Sequence, residues 1–232
     1  MAAEPAGGQV GRGRTLRLAH RGDHRAAPEN SLEAFRAALA VPGCDGLEFD
    51  VRGSRDGVPV VIHDETLERV QGRPWRVDRL TAAELEPLGV PALEAVLRNV
   101  PHRCFLDVEL KADLGRSVVE VLSAARGPQL GAAVVSSFEA AALRSIRHLA
   151  PTWPTWLNAD DLGPATLDLA TELGCAGVSA EWHALDEGAL AGAAGRGLAV
   201  AAWTVTDPAV RDRLAGLGLA AVCVEGSALA EP

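Results

Sequence analysis

Eight short apolar runs punctuate the chain, at residues 16–20, 46–50, 104–110, 132–138, 153–157, 175–181, 198–204 and 220–225. Ala/Leu-rich stretches at helical spacing lie between most of them, at 31–40, 91–99, 115–125, 140–148, 164–173 and 186–195. Strands joined by crossover helices pair in parallel, and a parallel sheet needs cover on its faces. Eight such units predict one closed (β/α)₈ barrel of the TIM type, in the α/β class. A chain of 232 residues, 48% hydrophobic, fills one barrel better than two small domains. The expected division is a flexible segment over 1–14 and a single domain over 15–232. A doubly wound sheet uses the same alternation and is the alternative fold.

One apolar run breaks the pattern. Residues 58–63 follow the second strand after only Ser54-Arg55-Asp56-Gly57, which is too short for a crossover helix. An Asp-Gly turn between apolar runs signals a β-hairpin. Residues 58–62 should double back along the second strand and bring His63 near Glu48 and Asp50. The stretch 64–89 carries few apolar residues and reads as an irregular flap with a short helix near 81–85.

Charge narrows the partners. Lys+Arg 22 against Asp+Glu 31 gives a net charge of -9. That field repels nucleic acid and anionic lipid, so neither a nucleic-acid partner nor stable membrane association is expected, and an anionic substrate needs local basic groups. Residues 1–14 are small, Gly-rich and polar, and no apolar run is long enough to span a bilayer, which leads to the expectation of a soluble, cytoplasmic protein. Cys44, Cys104, Cys175 and Cys223 lie far apart without a CxxC pair and read as buried free thiols.

Reactive groups in a TIM barrel sit at the carboxyl ends of its strands, and several of these ends are polar here. The first strand ends in His20-Arg21-Gly22, where Gly22 permits a sharp turn and Arg21 offers a planar fork of donors to phosphate. Asn30 or Ser31 would cap the following helix. Glu48 and Asp50 are two apart on a strand and face the same side, and Asp107, Glu109 and Lys111 repeat that spacing on the third strand. Like carboxylates are costly to bury without compensation, so a bound cation is the economical reading, against the alternative of a solvated charged face. Oxygen-only ligation by Glu48, Asp50 and Glu109 suits one hard divalent cation, Ca²⁺ or Mg²⁺, rather than zinc. Lys111 is the only lysine among many arginines, which points to a task for a compact ammonium, such as pairing with a carboxylate or contacting phosphate. His20 and His63, both at strand ends, are the candidate acid and base, while His24, His102, His148 and His183 read as structural. Trp203 ends the seventh strand and reads equally as barrel packing or as a stacking wall for an alcohol moiety, with Phe138 a weaker candidate for the same wall.

The segments His20-Arg21-Gly22, Pro28-Glu29-Asn30-Ser31, Glu48-Phe49-Asp50-Val51, Asp56-Gly57 with Val61-Ile62-His63-Asp64, and Glu109-Leu110-Lys111, followed by Ser136-Ser137-Phe138 and Trp203-Thr204-Val205, resemble the glycerophosphodiester phosphodiesterase family in order and spacing. The likeness runs from Leu18 to about Asp207. It implies a (β/α)₈ barrel that hydrolyses a small-molecule glycerophosphodiester, such as a deacylated phospholipid, to glycerol 3-phosphate and an alcohol. It further implies that Glu48, Asp50 and Glu109 hold the metal and that His20 and His63 act as acid and base. Arg21 and Lys111 would steady the phosphate, with Glu29, Asn30 and Asp107 in support. In the implied mechanism the substrate's own glycerol hydroxyl attacks phosphorus, and water opens the resulting cyclic phosphate.

Four departures from the family pattern stand out. Ser31 takes the place of a usual Thr, Asp107 that of a usual Asn, Asp23-His24-Arg25 that of a less charged loop, and Val224-Glu225-Gly226-Ser227 that of a Thr-Asp turn. Asp107 would tighten cation binding or pair with Lys111, and the changed last turn bears on headgroup specificity. The short segment after His63 leaves no room for the extra small domain that some relatives carry there. Two other readings keep the barrel: a phospholipase D-like lyase that stops at a cyclic phosphate, and a catalytically silent barrel that binds a phosphorylated metabolite.

Overall fold

Nine strands and nine helices alternate along residues 13–230, the part of the chain that this computed structural model describes. Most of the segment expected to be flexible, 1–14, lies outside the described residues. In chain order the elements are β1 (Leu16–His20), α1 (Leu32–Leu39), β2 (Gly46–Gly53), β3 (Pro59–Val61), α2 (Glu68–Gln71), α3 (Ala82–Leu85), α4 (Leu93–Asn99), β4 (Phe105–Leu110) and α5 (Gly115–Arg126). They continue with β5 (Ala133–Ser137), α6 (Ala140–Leu149), β6 (Thr155–Ala159), α7 (Pro164–Glu172), β7 (Gly177–Glu181), α8 (Glu187–Gly195), β8 (Ala199–Val205), α9 (Pro208–Ala215) and β9 (Ala221–Val224). The sheet runs β1-β9-β8-β7-β6-β5-β4-β2, and a parallel β1–β2 pairing closes the eight strands into a ring. That closure rules out the doubly wound alternative.

β3 stands outside the ring as the expected hairpin arm, antiparallel to β2 with Val51 opposite Val61. Its turn uses Gly57 at φ 77, a conformation that favours glycine. The Ile62 amide donates to the Asp50 carbonyl at 2.9 Å, which brings His63 to the carboxyl end of β2. Residues 64–89 are less irregular than the sequence suggests. Their few apolar side chains, Leu67, Val77 and Leu85, bury with Val60, Ile62 and Val90 in a small satellite core. Thr81 and Glu84 cap α3 reciprocally.

Two layers of packing follow from strand alternation. One set of strand residues, including Leu47, Phe49, Val108 and Val135, packs outward against Phe35, Leu97, Leu122 and Leu143 on the helices. The opposite set, Leu18, Val134, Trp156, Ala201, Ala221 and Cys223, forms a separate buried cluster inside the ring. Trp156 dominates that interior, stacked at 6.1 Å on Phe105. Ser31, Asp186 and Asp207 cap α1, α8 and α9 with their side chains. The strand expected over 153–157 is displaced to Thr155–Ala159, and the Trp153 indole, ahead of it, donates to the Pro128 carbonyl at 3.0 Å. All four cysteines are free, with Cys104, Cys175 and Cys223 buried and Cys44 half-buried. Among the described residues no helix is long and apolar enough to cross a membrane.

The space for Trp156 depends on a missing side chain. A Cβ at Gly177 would stand 2.4 Å from the Ala199 carbonyl oxygen and 3.0 Å from the Trp156 ring. The backbone atom cannot swing aside as a flexible side chain would. Gly177→Ala should therefore destabilise the protein by about 1–3 kcal/mol or more. Urea unfolding midpoints checks this, and an unchanged midpoint would contradict the packing account.

Candidate active site

Carboxylates crowd one rim of the barrel because of strand period and register together. Glu48 and Asp50 share the inner face of β2, and β2 pairs with β4 so that Asp50 lies level with Glu109 and Glu48 with Asp107. Glu48, Asp50 and Glu109 bring one oxygen each within 4.8 Å of one another. They are only 4%, 0% and 7% exposed. Glu48 Oε1 and Asp50 Oδ1 are buried without a hydrogen-bond partner. Buried acidic oxygens that converge on one point, with Glu48 Oε1 unpartnered and Asp50 Oδ1 met only by the charge of Lys111, are a donor set that fits a hard divalent cation.

The charges around this triad are partly balanced. Lys111 Nζ lies 2.9 Å from Asp50 Oδ1 as an ion pair off the hydrogen-bonding direction, and it also donates to Glu109. Arg21 Nε is 3.1 Å from Asp50 Oδ2. Burial would raise the Asp50 carboxyl, but Lys111 and Arg21 outweigh it and hold the group below its ordinary value. Glu48 has less help. Burial, reinforced by Asp50, Glu109 and Asp107, pushes it well above the ordinary carboxylate range. Burial likewise raises Glu109, against the pull of Lys111.

Arg21 reaches the site through a strained, well-packed turn. It adopts φ 56, Gly22 follows at φ 83, and a Cβ on Gly22 would stand 2.7 Å from the Ala34 backbone of α1. Arg21 Nη1 donates to Glu29 Oε1 at 3.0 Å. Asn30, also left-handed at φ 58, donates from Nδ2 to Asp50 Oδ2 at 2.8 Å. Ser31 caps α1, so Asn30 is free for the carboxylate.

Each candidate histidine has a carboxylate on its Nδ1. His20 donates to Glu225, leaving Nε2 3.7 Å from Glu48 Oε2. His63 donates to Asp64 Oδ1 at 2.6 Å, and its carbonyl accepts from Arg52 Nε at 2.7 Å. Burial lowers the His63 pKa, although the Asp50 charge acts on the ring in the opposite direction. Such pairs fix the tautomer and turn Nε2 outward from the supporting acid.

Trp203 and Phe138 meet edge-to-face with centroids 5.6 Å apart. Trp203 Nε1 donates to the Ser179 carbonyl at 2.9 Å, which leaves its ring face as the available surface. Phe138 is exposed, and Lys111 Nζ stands 6.0 Å from its centroid. Both aromatic residues thus flank the triad.

Of the two sequence readings of Asp107, the ion pair with Lys111 is not formed, because Asp107 lies one pleat deeper, level with Glu48, and its Oδ1 accepts from Ser136 Oγ at 2.6 Å. Burial pushes its carboxyl up to about 7. Residues that sequence reasoning passed over also converge here. Glu225 is the partner of His20, and His24 Nε2, read as structural, lies 3.5 Å from Glu225 Oε2. The available signal for Glu225 was its position two residues after Cys223, in phase with the barrel interior. Asp64 and Arg69 gave no such periodic signal.

Comparison with known proteins identifies the family of the chain. The glycerophosphoryl diester phosphodiesterase family profile matches residues 20–227. A probable glycerophosphodiester phosphodiesterase 1 of Mycobacterium tuberculosis is 31% identical over 224 residues, covering 82% of this chain and 81% of the relative. A glycerophosphodiester phosphodiesterase of Caldanaerobacter subterraneus is 30% identical over 158 residues, 60% of this chain and 64% of that protein. A phosphodiesterase from Oleispira antarctica, solved with the product sn-glycerol-3-phosphate, superposes with a TM-score of 0.81 at 27% identity, covering 91% of this chain and 93% of the other. With the matched span running from His20 at the end of β1 to Ser227 beyond β9, the chain belongs to the glycerophosphoryl diester phosphodiesterase family and is a phosphodiesterase on a (β/α)₈ barrel.

Proposed function

We propose that this protein hydrolyses glycerophosphodiesters to glycerol 3-phosphate and an alcohol, with Glu48, Asp50 and Glu109 holding one divalent cation, Ca²⁺ or Mg²⁺. The observation that carries the reading is the convergence of three buried carboxylates with two buttressed imidazoles and the cations Arg21 and Lys111. A cation bound there supplies Lewis-acid polarisation of a phosphoryl oxygen. The side chains do the rest. Arg21 and Lys111 offset the negative charge that spreads over the phosphoryl oxygens, and they do so where water is largely excluded and each dipole counts for more. His20 and His63 divide the proton traffic, one taking a proton from the attacking hydroxyl and the other giving one to the leaving oxygen. The Phe138–Trp203 edge offers an apolar wall to the carbon skeleton of the alcohol.

Activity is tested with glycerophosphocholine, following glycerol 3-phosphate release with Mg²⁺ or Ca²⁺ and then with excess chelator. Turnover should appear with metal and vanish on chelation, and phosphorus NMR should end at a monoester rather than a cyclic phosphate. His20→Ala and His63→Ala should each lower kcat by about 10²-fold or more. Near-normal turnover in either variant would remove that imidazole from the reaction.

Metal binding should also be coupled to pH. Because the Glu48 carboxyl is raised, it keeps its proton to higher pH than an ordinary glutamate and a cation competes with that proton, so affinity should rise with pH and binding should release protons over that range. In the metal-free protein the same group lends stability that is complete below the ordinary glutamate value of 4.5 and is lost as pH climbs through its elevated value. Added cation should restore it. Calorimetry in two buffers of different ionisation enthalpy measures the proton release, and identical heats would contradict the coupling.

A further inference from the structure

Arg69 lies on α2, outside the barrel strands, yet its guanidinium is committed to two carboxylates at the rim. Its Nε and Nη2 donate to Asp64 Oδ2 at 2.7 Å and Oδ1 at 3.1 Å. Its Nη1 and Nη2 donate to Glu29 Oε2 at 2.8 Å and Oε1 at 2.7 Å. One planar fork therefore grips both acids bidentately. Asp64 accepts the hydrogen bond from His63 Nδ1, and Glu29 accepts one from Arg21 Nη1. Leu67, just before α2, is fully buried in the satellite core and fixes the base of this arm.

A half-exposed ion pair is ordinarily worth only about 0–1 kcal/mol and would not merit a role. Three features separate this one. The two carboxylates are only 12% and 23% exposed at their side chains. The contact is bidentate on both sides, which adds geometric precision to charge. The third concerns the imidazole: Arg52 anchors the His63 carbonyl and so holds the backbone, whereas among the described residues the side-chain hydrogen bond of the ring itself is made to Asp64. Among the described residues Arg69 is the one guanidinium hydrogen-bonded to Asp64, and without it the carboxylate is free to turn to solvent. The Arg69 hydrogen bonds also depress the Asp64 carboxyl to about 2, which keeps it an acceptor.

We propose that Arg69 is a positioning residue for the reaction: by clamping Asp64 to Glu29 it holds the His63 imidazole at the angle its proton transfer requires. The inference rests on the reading of His63 as acid or base. It is tested on the full chain with saturating Mg²⁺ and glycerophosphocholine, comparing Arg69→Ala, Arg69→Lys, His63→Ala and the Arg69→Ala/His63→Ala double variant. Arg69→Ala should lower kcat by about 10- to 100-fold with little change in KM, the scale expected when a reacting group is misplaced by an ångström or less. Arg69→Lys should recover only part of the loss, because an ammonium cannot grip two carboxylates bidentately.

In the His63→Ala background, Arg69→Ala should cost less than about 2-fold further, since the two residues act as one unit. A role confined to stability would instead multiply the two losses. Should Arg69→Ala fold poorly in a thermal melt, Asp64→Asn and Arg69→Lys carry the same comparison. Wild-type kcat in Arg69→Ala, or full multiplication of losses in the double variant, overturns the assignment. Wild-type activity in His63→Ala would overturn the underlying reading of His63 instead, so the two failures are distinguishable.

Discussion

Three carboxylates held within 4.8 Å of one another and almost out of water form the constraint around which the rest of this protein is arranged. Their mutual repulsion and lost hydration would each drive protonation or unfolding if left alone. The fold answers unevenly. Asp50 receives Arg21, Lys111 and Asn30 and stays ionised, while Glu48 receives little and is driven toward its neutral form. The imbalance defines where the missing positive charge belongs. A dication would complete the set without adding bulk, and in the proposed reaction a phosphate there would find the two fixed cations, Arg21 and Lys111, beside it.

Around that centre lies a ring of paired charges that orients more than it stabilises. Each imidazole leans on an acid, Glu225 for His20 and Asp64 for His63, and each acid comes from a different part of the barrel. Closure of the ring brings Glu225, after the last strand, beside His20 at the end of the first. The β3 hairpin and α2 arm bring Asp64 and Arg69 in from the side. The satellite core of Val60, Ile62, Leu67, Val77, Leu85 and Val90 packs the base of the arm that carries these groups.

The interior beneath the site provides a rigid floor. Trp156 and Phe105 fill the ring, and Gly46 and Gly177 allow close strand approach where a Cβ would strike a carbonyl oxygen. Above them the inward side chains turn polar at Ser136, Asn158 and Asp107, then ionic at the rim. This gradient places the candidate catalytic groups at the rim, above a low-dielectric interior.

Much of this was legible in the order of residues. Alternating apolar and helical stretches specified a parallel α/β sheet with eight strands, which ring closure made a barrel, a two-residue period put Glu48 with Asp50 and Glu109 with Lys111, and Asp56-Gly57 announced the hairpin that delivers His63. These are local or periodic signals, which a single strand or turn expresses by itself. What the chain order could not express was decided by closure and register: the level match of Asp50 with Glu109, the deeper seat of Asp107 that denies it Lys111, the capture of His20 by Glu225, and the grip of Arg69 on Asp64 and Glu29. Each of these joins side chains carried by different elements, and most join segments far apart in the chain. Such pairs form only when separate elements are packed at one height and angle, and that is a property of the assembled barrel.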